Sequence, residues 1–223
     1  MIENATKKLD KVKIVMGESF TKKKVAVFVD NENLFYGCGH NANAFPDYKK
    51  IMEFARGCGR VVHAICLSDW TRLQNSVKFV VGAGFEPRFS CNAITLGDSD
   101  VKRQSSADAS LHVEIFETLH FHPDVDVVIL VSGDRDFISL VHAMKRMGKY
   151  VIVMSEDRSM AWDLSEAADQ SVTLQEINAL MPKDKTEVRS DYPVRPMRPK
   201  PVFIPENADD KTIEKTFGKE NEK

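Results

Sequence analysis

Glycine-rich phosphate loops are missing from this chain of 223 residues. No G-x-x-x-x-G-K-[ST] run offers a triphosphate cradle. No G-x-G-x-x-G follows the first apolar strand, which argues against a dinucleotide site, and there is no G-x-S-x-G nucleophile elbow. Cysteine is sparse and scattered. Cys38, Cys58, Cys66 and Cys91 form no paired spacing, Cys38 with His40 has no second pair at zinc distance, and the six histidines include no H-E-x-x-H. The amino terminus is charged without an apolar h-region, and no apolar run reaches membrane-spanning length. These absences lead us to expect a cytoplasmic protein with reduced thiols and no membrane partner. An excess of one charge is missing as well: the net charge is -2. Any polyanion would therefore have to be held by a local patch.

What is present is apolar sequence in short, punctuated runs. A hydrophobic content of 43% is enough for a proper core. Val25–Val29, Val61–Leu67, Phe85–Ser90, Val127–Val131 and Tyr150–Met154 read as buried strands, and Ser171–Leu174 as a short edge strand. Helical spacing occurs over Asp47–Arg56, Trp70–Val81, from Ala107 onward, Phe137–Gly148, around Trp162–Ala168 and over Gln175–Leu180. The βαβαβ order predicts an α/β fold, a three-layer α/β/α sandwich on a mostly parallel sheet. Cys91–Ser106 is polar and without periodicity, and is expected to be a functional or mobile loop.

The ends differ from the middle. Residues 1–22 are Lys-rich with interspersed apolar positions, the pattern of an arm or a short amphipathic helix. Six of the nine prolines follow residue 181, so 182–223 reads as a largely disordered tail. That tail could dock an unknown protein or nucleic acid. The expected folded domain is 23–181. Whether the chain forms a homo-oligomer is left open.

The acids fall where they could act. Asp30 ends the first strand, and Asp134 and Asp136 follow the strand Val127–Val131. Asp108 opens a helix. In a parallel sheet, strand carboxyl ends lie along one edge, where ligands bind. Several carboxylates in one cleft repel each other, and a hard divalent cation relieves this; all-oxygen sites suit Mg²⁺ or Mn²⁺. Such a cation can activate water and clamp a phosphodiester. The expected chemistry is therefore metal-dependent phosphodiester cleavage, with Asp30, Asp108 and Asp134 as ligands. Asp136 would orient the attacking water. Asn31 or Asn33 would position the scissile phosphate, and Lys102, Arg103 and Arg135 could neutralise the flanking ones. Either Asn31 or Asn33 could instead cap a following helix. Phe35 and Tyr36 could stack bases or pack the first helix.

The segments VAVFVDNENL, SSADASLHVEIF and VVILVSGDRDFISLVHAMKRMGKYVIVMS, in that order, resemble the NYN domain, the LabA-like branch of the PIN-like nuclease superfamily. The likeness extends over about Lys24 to Leu174. It implies a Rossmann-like fold, an acidic cluster binding Mg²⁺ or Mn²⁺, and endoribonuclease activity on RNA. It maps Asp30, Asn31, Asn33, Asp108, Asp134 and Asp136 onto the family's site. Glu114 stands where many relatives carry a further Asp. Gln104-Ser105-Ser106-Ala107 replaces the family's usual Lys-Gly-Val, with Lys102 displaced from the phosphate-contacting position. A non-catalytic RNA- or nucleotide-binding regulator on the same fold is the main competing reading, and a DNA-directed nuclease a third.

Overall fold

A computed structural model describes residues 22–37, 46–71, 73–90, 93–96, 101–104 and 107–180. The expected arm, apart from Lys22, and the whole of the expected tail lie outside the described residues, as do Cys38, His40 and Cys91. The chain begins with β1 (Lys24–Asp30), α1 (Asn31–Gly37), α2 (Tyr48–Cys58), β2 (Arg60–Ser68), α3 (Gln74–Ala83) and β3 (Glu86–Phe89). A hairpin of β4 (Ala93–Leu96) and β5 (Val101–Gln104) follows, then α4 (Ala107–Phe121) and β6 (Val127–Val131). A 3-10 turn over Arg135–Phe137 leads into α5 (Ile138–Arg146), then β7 (Tyr150–Ser155), α6 (Trp162–Ala167), β8 (Gln170–Thr173) and α7 (Leu174–Leu180).

Six strands form one sheet in the order β3-β2-β1-β6-β7-β8, and every pairing is parallel. This is the α/β sandwich that the sequence leads one to expect. Strand pleating sends alternate residues to opposite faces, and the two cores obey it. Val25, Val27, Val29, Ile129 and Val131 pack with Ile51, Phe54, Val80 and Ile177 from α2, α3 and α7. Ala26, Phe28, Val128 and Leu130 pack with Leu111 and Ile115 of α4, Leu140 and Met144 of α5, and Leu164 of α6.

Two expectations change in detail. The segment expected to be a bare loop over 91–106 contains the antiparallel β4–β5 hairpin, with Ala93 opposite Gln104 and Leu96 opposite Val101. The helix expected from Trp70 starts at Gln74. Trp70 is instead buried before it, its indole N–H donating to the Arg88 carbonyl at 2.7 Å. Cys58 and Cys66 are buried free thiols, and burial pushes the Cys58 thiol up to about 12. Among the described residues, no helix is long and apolar enough to cross a membrane.

Strand order reverses at β1. The chain runs outward from β1 through β2 to β3, returns through α4, and lays β6 on the other side of β1. Crevices at such a reversal, at strand carboxyl ends, are where open α/β sheets bind ligands. Lys23 and Lys24 lie at the opposite end of the sheet and pair with Asp126 and Asp124. They are committed far from the crevice.

Candidate active site

Asp30 is the last residue of β1, on the same pleat as Ala26 and Phe28, and so points to the α4 face. It is 4% exposed. One carboxylate oxygen accepts the Asn33 N–H at 3.1 Å, so Asp30 itself caps the start of α1, the role expected of Asn31 or Asn33. The other accepts the Ser132 hydroxyl at 3.2 Å. Burial pushes the Asp30 carboxyl up to about 7; the Asn33 and Ser132 bonds pull the other way, and the charges of Asp108 and Glu32 add to the rise.

Asp134 and Asp136 lie on the turn after β6. Asp134 accepts the Asp136 N–H at 3.0 Å, which closes the 3-10 turn. Asp108, in the first turn of α4, meets them. Carboxylate oxygens of Asp108, Asp134 and Asp136 lie within 4.8 Å of one another. Partial burial raises the Asp108 carboxyl above its usual range, and Asp134 and Asp136 raise it further, while His112 lowers it. Asp30 is not in that set of three, but its charge is coupled to Asp108 from inside. No salt bridge among the described residues joins the three carboxylates to a cation; Arg135, on the same turn, pairs at 3.7 Å with Asp163.

This donor set fits a hard divalent cation. All the donors are carboxylate oxygens, they converge, and the charges of Asp134 and Asp136 raise the proton affinity of Asp108, as expected of ligands awaiting a cation. Asp108, Asp134 and Asp136 would hold it, with Asp30 behind Asp108.

Other expected site residues are distributed differently. Asn31 is fully buried; its amide nitrogen donates to Ser68 Oγ at 3.3 Å and its oxygen accepts the Tyr48 hydroxyl at 2.5 Å. It anchors α1 to β2 and α2, and has no face left for a phosphate. Asn33 reaches across the crevice, its oxygen accepting the Gly133 N–H at 2.9 Å. It also lines an open groove of about 440 Å³ with Tyr36, Gly37, Arg158 and Ser159. Glu114 does not join the acids. It lines a separate groove of about 250 Å³ with His63, Glu86, Arg88 and His122. Lys102 and Arg103 are on β5, opposite Thr95 and Ile94; their side chains lie outside the described residues.

Three contributors escape the sequence reading. Glu32 adds negative charge at Asp30 and Asp108 while accepting the Asp69 N–H at 3.1 Å. Ser132 donates to Asp30 and accepts the Asp134 N–H at 3.3 Å, so one hydroxyl joins the two strand ends. His112, one helical turn after Asp108, donates from Nδ1 to the Asp108 carbonyl at 2.7 Å and stacks on Phe137 at 5.1 Å. The signal available for His112 is its i+4 spacing from Asp108.

An all-parallel sheet with converging carboxylates at its switch point defines an α/β domain with a candidate cation site. The chain belongs to the NYN domain family, within the PIN-like nuclease superfamily: the family model matches residues 24–175. It is 24% identical over 176 residues to the low amplitude and bright protein LabA of Synechococcus elongatus, covering 76% of this chain and 92% of that one. It is 26% identical over 174 residues to an uncharacterised protein of Methanocaldococcus jannaschii, covering 76% of this chain and 65% of that one. A crystal structure of a Vibrio parahaemolyticus protein of unknown function is similar with TM-score 0.57 and 30% identity, over 71% of this chain and 96% of that one.

Proposed function

We propose that the chain is a Mg²⁺- or Mn²⁺-dependent endoribonuclease that hydrolyses phosphodiester bonds of single-stranded RNA. The observation that carries this reading is the convergence of Asp108, Asp134 and Asp136 within 4.8 Å at the switch point of a NYN-domain sheet. When bound there, a divalent cation supplies Lewis-acid polarisation of a phosphoryl oxygen and acidifies water.

The chain's own groups supply the rest. Asp136 is the exposed member of the three and orients the attacking water through a carboxylate oxygen. Asn33 has its oxygen fixed by Gly133, which leaves its amide nitrogen to donate to a phosphate oxygen. Arg158 and Arg135, both exposed, provide positive charge beside an otherwise acidic crevice. Asp30 acts from beneath, through Asp108 and the Ser132 hydroxyl, as a positioning residue.

Labelled single-stranded RNA with Mn²⁺, offered to the parent and to Asp134→Asn, tests the reading. Cleavage by the parent, reduced at least a hundredfold in the variant, is expected. Binding without cleavage by either protein makes it a binding regulator instead. Cleavage of single-stranded DNA in preference to RNA moves the substrate class.

A further inference from the structure

A tryptophan left in water beside a polar crevice calls for a reason, because its ring carries a large apolar surface. The chain has two tryptophans. Trp70 is 3% exposed and packed in the core, whereas Trp162 is 76% exposed. Core packing of α6 is supplied by Leu164 and Ala167. Trp162 therefore adds nothing to the fold that its helix lacks.

Its position is set by ties on both sides. The preceding residue, Ala161, donates its N–H to the Gly133 carbonyl at 3.1 Å. The following residue, Asp163, holds the Arg135 guanidinium at 3.7 Å. Gly133 and Arg135 are the two neighbours of Asp134. The backbone at Trp162 is thereby tied beside the turn that carries Asp134, at the end of the same segment whose Arg158 and Ser159 line the groove with Asn33 and Tyr36.

We infer that Trp162 is a nucleobase platform, a subsite on which one unpaired base of the substrate strand stacks. The inference rests on the ribonuclease reading and deepens it. Every base has a π-face, so stacking on an indole tolerates sequence. A base inside a duplex already has both faces covered, so the platform selects single strands. Arg135, held by Asp163, places a cation beside that base, where the adjoining phosphate runs towards Asp134 and Asp136.

The test uses the full chain in Ca²⁺ at low salt with a fluorescein-labelled oligoadenylate of ten nucleotides. Since Trp70 is enclosed, RNA binding is expected to quench indole emission through Trp162. Trp162→Ala is expected to weaken binding on the order of tenfold, with an unchanged melting temperature because the side chain is exposed. Trp162→Phe should restore most of the affinity. Oligonucleotides with one abasic ribose moved along the strand should bind the parent more weakly at one position and Trp162→Ala equally at all. Equal affinity of parent and Trp162→Ala, or indifference of the parent to every abasic position, overturns the platform, whether or not RNA is cut. Quenching and the abasic effect without cleavage in Mn²⁺ uphold the platform and sink the ribonuclease reading.

Discussion

Asp30 has a folded-state carboxyl near 7 against an ordinary value of 3.8. The folded state therefore binds this proton more tightly than the unfolded chain between about pH 4 and 7. Stability drawn from neutral Asp30 is full below about pH 4 and is lost as pH rises through 7, an amount of about 4 kcal/mol. Asp30→Asn keeps the size and an acceptor for the Asn33 N–H while removing the charge. In EDTA at pH 8 it should melt several degrees above the parent, and at pH 5 the gap should shrink. A parent that melts as high as the variant at pH 8 contradicts this. Asp108, a cation-holding carboxyl that is also raised, makes cation uptake compete with a proton. Mn²⁺ affinity, measured calorimetrically, should weaken as pH falls and Asp108 takes up its proton, by up to about tenfold per pH unit for each proton displaced. Asp108, Asp134 and Asp136 are legible in the sequence because acids after a buried strand or at a helix start have few places to go. Glu32, Ser132 and the burial of Asn31 are not, because they depend on partners distant in the chain, Asp69, Asp30 and Ser68, that only the assembled sheet brings to them.

At the scale of elements, two glycines with the same letter carry different weight. A Cβ on Gly133 would stand 2.1 Å from the Ser159 carbonyl oxygen and 2.6 Å from Ser155 Oγ, so the β6 turn and the segment after β7 can close together only over glycine. Gly133→Ala should cost about 1–3 kcal/mol through overpacking and displace Asp134 with it. Gly82 lies in α3 with nothing within 4 Å of its Cβ position, so Gly82→Ala should gain about 0.5–1 kcal/mol. Thermal melts of the two variants should move in opposite directions. The main strands and helices were readable because apolar runs and helical spacing decide them locally. The start of α3 was not, since Trp70 leaves the helix to fill the core and bond Arg88, a partner 18 residues away. The β4–β5 hairpin was missed because pairing of Ala93–Leu96 with Val101–Gln104 leaves no mark in a polar, aperiodic stretch.

For the whole molecule, the alternation of strands and helices predicts a parallel sheet but not the order β3-β2-β1-β6-β7-β8. Right-handed crossovers are equally satisfied by other orders, and only the pairing of β1 with β6, from Val25 with Val127 to Val29 with Val131, creates the reversal. That pairing has a consequence for fragment complementation. A chain divided between Leu96 and Val101 yields one piece with Asp30 and another with Asp108, Asp134 and Asp136. Co-expressed, the pieces should zip along the β1–β6 seam and co-elute on gel filtration, whereas Val29→Asp in the first piece should keep them apart. The crevice is thus a property of the seam, and half a molecule owns only half of it.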